Sequence, residues 1–122
     1  MPFQEILRQL LQSIPGSIGA VFLDREGESV DLWAERIFEI GPDGLRAIGA
    51  YSGIFLGNLQ RICSQFSLGS LERLSIEFEH VRLLSCNLKE GYYLVVVVES
   101  GANEGVAWQQ IRVCRERLLD EL

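Results

Sequence analysis

With 122 residues, 48% of them apolar, and no low-complexity stretch, the chain is sized for a single ordered domain over residues 1–122. The net charge is −6, and ten of the eleven basic residues are arginine. Such a chain lacks the clustered positive charge that nucleic acid or an anionic membrane surface demands, and neither is expected as a partner.

Phe3, Ile6, Leu7, Leu10, Leu11 and Ile14 recur at helical spacing and predict an opening amphipathic helix, stopped by Pro15-Gly16. Glu5 and Arg8 interrupt its apolar pattern, so no secretory signal is expected there. Ile18 to Leu23 reads as a strand, Asp24-Arg-Glu-Gly27 as a turn, and Val30, Leu32 and Ala34 as the inward positions of a second strand. A short connection from Arg36 to Gly41 leads to Pro42-Asp43, a good helix start. The next helix should run from Pro42 to Gln65 and end before Ser67-Leu-Gly69.

Leu74, Ile76 and Phe78 then alternate with Arg73, Ser75, Glu77 and Glu79, the pattern of a half-buried strand. The chain turns around His80, and Arg82 to Leu88 makes a further strand. Tyr92 to Val98, YYLVVVV, is apolar on both alternating faces and so belongs in the middle of a sheet covered on both sides. After Gly101-Ala-Asn103, with Asn103 as N-cap, a closing helix presents Ala107, Ile111, Cys114 and Leu118 on one face.

The order is α-β-β-α-β-β-β-α. It predicts an α/β (α+β) three-layer domain, with three helices around a five-stranded, mainly antiparallel sheet. No internal repeat or linker divides it.

Chemistry is sparse. Cys63, Cys86 and Cys114 lie far apart, and with His80 the single histidine no metal site is expected. Small buried hydrophobes in a reducing cytoplasm are the simplest reading of the cysteines. No nucleophile elbow, zinc-protease motif or close Cys/His pair is present, and the glycine series lacks the lysine of a phosphate-binding loop. Glu77 and Glu79 share a strand face with Arg73 and read as solvated. No catalytic residue and no cofactor is expected.

The most unusual stretch is GAYSGIFLGNLQ, which sets Gly49, Gly53 and Gly57 four residues apart in the long helix. Each glycine costs a helix roughly 1 kcal/mol relative to alanine. On a helical wheel, Leu45, Ile48, Ser52, Phe55, Leu56, Leu59, Ile62, Cys63 and Phe66 form one broad arc, assigned to the sheet. The glycine stripe lies beside that arc, and Tyr51, Ile54, Asn58, Arg61 and Gln65 fall roughly opposite. The uncharged run from Ala47 to Gln60 is shorter than the ~20 residues a membrane span needs. The glycines are therefore read as a seam along which a second helix approaches closely. The strand Leu74 to Glu79 should lie at the sheet edge with no proline to block pairing by a second copy.

Taken together, Ile14-Pro-Gly-Ser-Ile-Gly-Ala-Val-Phe-Leu-Asp24, the Gly27 turn, the glycine-bearing middle helix, Gly91-Tyr-Tyr-Leu-Val-Val-Val-Val98 and Asn103-Glu-Gly105 resemble the roadblock/LC7 family over nearly the whole chain. That family includes the activator of a bacterial gliding-motility Ras-like GTPase and the eukaryotic dynein light chains. The second strand and the apolar connection Glu35-Arg-Ile-Phe-Glu-Ile-Gly41 depart from its usual pattern. The resemblance implies a middle helix on one sheet face, terminal helices on the other, and pairing through third strands and middle helices. It also implies binding to small GTPases as regulator or scaffold. An arginine supplied to such a GTPase would stabilise transition-state charge, and Arg46 and Arg61 are the candidates by position.

The resulting expectation is a non-enzymatic, cytoplasmic homodimer that binds and regulates a small Ras-like GTPase. Gly49, Gly53, Gly57, Leu74, Ile76 and Phe78 would form the dimer seam, and Tyr51, Ile54, Asn58 and Arg61 the partner surface. Gly53→Leu should then disrupt the pair, and Ile54→Asp should spare it. The alternatives are a structural adaptor without effect on GTP hydrolysis and a small-molecule sensor, for which Cys86 and Asn87 offer little.

Overall fold

The computed structural model describes residues 2–36 and 39–122; Ile37 and Phe38 of the apolar connection lie outside the described residues. Three helices and five strands follow in the expected order: α1 (Pro2–Gln12), β1 (Ser17–Leu23), β2 (Ser29–Ala34), α2 (Pro42–Gln65), β3 (Arg73–Glu77), β4 (Val81–Asn87), β5 (Tyr93–Glu99) and α3 (Glu104–Glu121). The strands form one sheet in the order β2-β1-β5-β4-β3, with every pairing antiparallel.

Local chemistry sets the element ends. At Gly27 the backbone takes φ +84°, a region glycine enters without a Cβ clash. The Asp24 carboxylate accepts from the Glu26 and Glu28 amides and tightens that turn. Pro42 sits in the first turn of α2, where its missing N–H is not needed. The Asn103 side chain accepts from the Val106 N–H at 3.1 Å and caps α3.

The apolar run of β5 occupies the centre of the sheet, as its two-sided pattern requires. Leu94, Val96 and Val98 point to the face covered by α1 and α3, in a core with Leu7, Leu11, Ile14, Phe22, Leu84, Ile111 and Leu118. Tyr93, Val95 and Val97 point to the opposite face, toward α2, joining Ile18, Val21, Leu23, Leu45, Leu56 and Leu83. The terminal helices and the middle helix therefore lie on opposite sides of the sheet. No helix among the described residues is long and apolar enough to cross a membrane.

Candidate protein-binding face

The residues of α2 that face inward are Leu45, Gly49, Ser52 and Leu56, spaced four, three and four apart. Gly49 and Gly53 belong to this inner side. A Cβ on Gly49 would come within 2.7 Å of Leu23 Cδ2 and 3.0 Å of Val21 Cγ1. One on Gly53 would overlap the Tyr93 hydroxyl and lie 2.7 Å from its Cζ. That hydroxyl donates to the Gly49 carbonyl at 3.0 Å, locking the helix onto β5. Burial, with the nearby Asp24 charge, pushes the Tyr93 phenol up to about 12.

This corrects the seam reading for two of the three glycines. Gly49 and Gly53 are small because the large side chains of the chain's own sheet rise to meet the helix there. Gly57 alone is open, with nothing within 4 Å of its would-be Cβ.

The same placement corrects the inward arc. Phe55, Ile62 and Phe66, expected on the sheet, are 56%, 45% and 66% exposed. They join Tyr51 at 68% and Ile54 at 59% to give α2 an outward apolar flank. A surface helix ordinarily carries charge on this side. Here Arg46 and Arg61 are engaged locally, Arg46 with Asp43 at 2.8 Å and Arg61 with the Asn58 amide oxygen. All four residues expected to meet a partner, Tyr51, Ile54, Asn58 and Arg61, are exposed.

The sheet contributes the rest of the surface. α2 packs across β2, β1 and β5, leaving β4 and β3 little cover on this side. Leu74, Ile76 and Val81 pack at the margin of the α2-side core and remain half-buried, while Phe78, just beyond β3, is 52% exposed. β3 is an edge strand, as expected of a strand that follows the long helix and precedes two hairpin-connected strands. Its polar side chains turn to the other face: Arg73 lies over the Trp108 ring at 4.8 Å, Ser75 donates to Glu104 at 2.6 Å, and Glu77 accepts from Arg82 at 2.8 Å. The two candidate seams, α2 flank and β3, thus share one side of the sheet.

The remaining sites hold less. His80 and Glu79 sit together on an exposed turn, 3.6 Å apart. Among the described residues no group of three His, Cys, Asp or Glu side chains is placed to hold a metal. Beyond the C-terminal end of α2 an open groove of about 730 Å³ is lined by Gln60, Ser64, Ser67, Glu72, Asn87 and Arg115. Two of its polar side chains are engaged within the chain: the Asn87 amide donates to the Leu71 carbonyl, and Arg115 donates to the Asn87 carbonyl. Cys86 is not part of it; burial on the opposite face raises that thiol to about 11.

No protein-family model matches the chain, and no curated protein does. Solved structures do match. A roadblock/LC7 domain from Streptomyces avermitilis superimposes with a TM-score of 0.84 at 16% identity, over 94% of this chain and 92% of that one. The gliding protein MglB from Thermus thermophilus gives 0.85 at 18% identity, over 98% and 87%. An MglB solved in a tetrameric arrangement gives 0.83 at 18% identity, over 95% and 84%. The chain therefore has the roadblock/LC7 fold.

Proposed function

We propose that this chain is a non-enzymatic member of the roadblock/LC7 family that pairs with a second copy of itself and, as a pair, binds and regulates a small Ras-like GTPase. The observation that carries this reading is the coincidence, on one side of the sheet, of an uncovered apolar helix flank and an unblocked strand edge. Apolar side chains as large as Phe55, Ile62 and Phe66, grouped on one helix, are a signature of protein contact rather than of solvent. Pairing through β3 would satisfy its backbone edge and bring the flank of α2 against its symmetry mate. The tetrameric arrangement of a structurally similar MglB supports self-association in this fold.

The seam is then Phe55, Ile62, Leu74, Ile76 and Phe78; Gly57 lies roughly 150° around the helix from Phe55 and Ile62 and stands apart from that flank. Tyr51, Ile54, Asn58 and Arg61 are left for the GTPase. Tyrosine and arginine are favoured types for such contacts. Regulation requires only that the bound pair order the switch loops of the GTPase. Three unpaired cysteines suit a reducing cytoplasm.

Sedimentation at micromolar concentration tests the pairing, which a stable monomer would overturn. GTP hydrolysis by a Ras-like GTPase captured from the same cell, measured with and without the chain, tests the rest. A changed rate supports regulation. Binding with an unchanged rate identifies an adaptor instead. Ile54→Asp should leave the pair intact and weaken GTPase binding about tenfold or more, the scale of one lost interface anchor.

A further inference from the structure

The sheet has two edges, and they are built differently. At β3, the Phe78 N–H donates to the Val81 carbonyl at 2.8 Å, closing the hairpin. Hydrogen bonding alternates along an antiparallel pair, so the N–H groups of Arg73, Ser75 and Glu77 point outward. Their side chains are drawn to Trp108, Glu104 and Arg82, away from that edge.

At β2, the Glu35 N–H donates to the Ile18 carbonyl at 2.9 Å. The same alternation turns the N–H groups of Leu32 and Ala34 outward. Here the edge is occupied. The Leu32 N–H donates to Oδ1 of Asp31 at 2.9 Å. The other oxygen, Oδ2, is sealed from solvent with no hydrogen-bond partner among the described residues. A register shift between Phe22 and Leu23 further breaks the regularity of this end.

We infer that the Asp31 carboxylate bars strand addition at β2, so that association of this chain through its sheet is confined to β3 and stops at a closed pair. An incoming strand would have to take the Leu32 N–H, stripping Oδ1 of its one partner in the chain while Oδ2 stays sealed from solvent and unbonded, which is unfavourable. The consequence is one of symmetry. Joining β3 of one copy to β3 of another is an isologous contact and closes. Joining β3 to β2 is heterologous and propagates from copy to copy, into a ring where the rotation closes and an open filament where it does not. A chain with two open edges could do both; Asp31 leaves only the first.

This rests on the β3 pairing proposed above, and the test separates the two. Ser75→Pro removes an outward N–H from β3 without costing a ladder bond, a substitution edge strands tolerate. It should convert the pair to a monomer; a pair that persists overturns the β3 reading alone. Asp31→Ala, followed by light scattering over a concentration series, should give species heavier than the pair that grow with concentration. In the Asp31→Ala/Ser75→Pro double variant, association should reappear through β2. A mass for Asp31→Ala that stays at that of the unsubstituted chain, with no association in the double variant, overturns the inference. Hydrogen exchange of the unsubstituted chain provides a readout free of folding effects. After correction for intrinsic rates, the Leu32 amide should exchange about tenfold more slowly than the equally outward Ala34 amide. Equal rates would likewise overturn the inference.

Discussion

The two faces of the sheet are covered by different amounts of helix. Five strands at roughly 4.8 Å spacing span about 19 Å, and one helix with its side chains is about 10 Å across. On one face α1 and α3 lie side by side and bury Leu7, Leu11, Phe22, Leu84, Leu94 and Leu118 to 2% exposure or less. On the other, α2 alone covers three strands and stops. The apolar residues past its margin, and the large side chains on its own flank, remain uncovered. One face is covered across the sheet; the other is sealed beneath α2 and open past its margin.

Paired substitutions on the two faces should therefore separate stability from association. Phe22→Ala opens a cavity on the sealed face and should cost about 3–5 kcal/mol of unfolding free energy. It should not alter the stoichiometry of the molecules that remain folded. Phe55→Asp places a charge on the open face, where the side chain is already half in water. Urea unfolding should change by less than about 0.5 kcal/mol, while sedimentation should show the pair lost. A Phe55→Asp variant that still pairs would remove the α2 flank from the seam.

Gly53→Ala tests the border between the faces. Its new methyl meets the Tyr93 ring, which is fixed by its hydrogen bond to Gly49, so the helix must lift or the ring must turn. The expected loss is about 1–3 kcal/mol, the range for overpacking a core. Loss of pairing without loss of stability would instead restore the reading of Gly53 as a seam residue.

Alkali should attack the two faces in sequence. Burial raises Cys86 to about 11 and Cys114 to about 12 on the sealed face, and Tyr93 to about 12 beneath α2. Each raised value means that the fold favours the neutral form. That stability is whole below the unfolded values of 9.0 for the thiols and 10.0 for the phenol. It is lost as pH rises through the folded ones, at up to about 1.4 kcal/mol per pH unit for each group. Urea midpoints should begin to fall above pH 9, and fall faster above pH 10. Tyr93→Phe should remove only the second component.

Much of this architecture can be read from residue order. Alternation in RLSIE, the two-sided run YLVVVV and the Asn103 cap each correspond to an observed element. The central place of β5 follows from its having no polar face. What periodicity could not reveal was the rotation of α2. Its apolar residues occupy an arc wider than one contact needs, so Phe55 and Ile62 looked as inward as Leu45 and Leu56. Which part of that arc meets the sheet is decided by Leu23 and Tyr93, which rise highest beneath the helix and admit only glycine. Those side chains come from strands 26 and 40 residues distant from Gly49 and Gly53. The guarded β2 edge was equally hidden, because an aspartate in a strand reads as merely polar until its neighbour's N–H is known to face outward.

Gly57 gives the smallest effect and the finest distinction. It repeats Gly49 and Gly53 in sequence, yet its would-be Cβ meets nothing within 4 Å. Gly57→Ala therefore adds no clash in the single chain and removes backbone freedom from the unfolded state. Unfolding free energy should rise by up to about 1 kcal/mol, the helical difference between the two residues. The sign is opposite to that for Gly53→Ala, one turn earlier. The effect on pairing then tells why a glycine stands there. If association weakens while the single chain gains stability, a second helix comes within a methyl's breadth of Gly57. If the pair is as tight as before, the seam runs along Phe55 and Ile62, and only Gly49 and Gly53 answer to close packing, against the chain's own sheet.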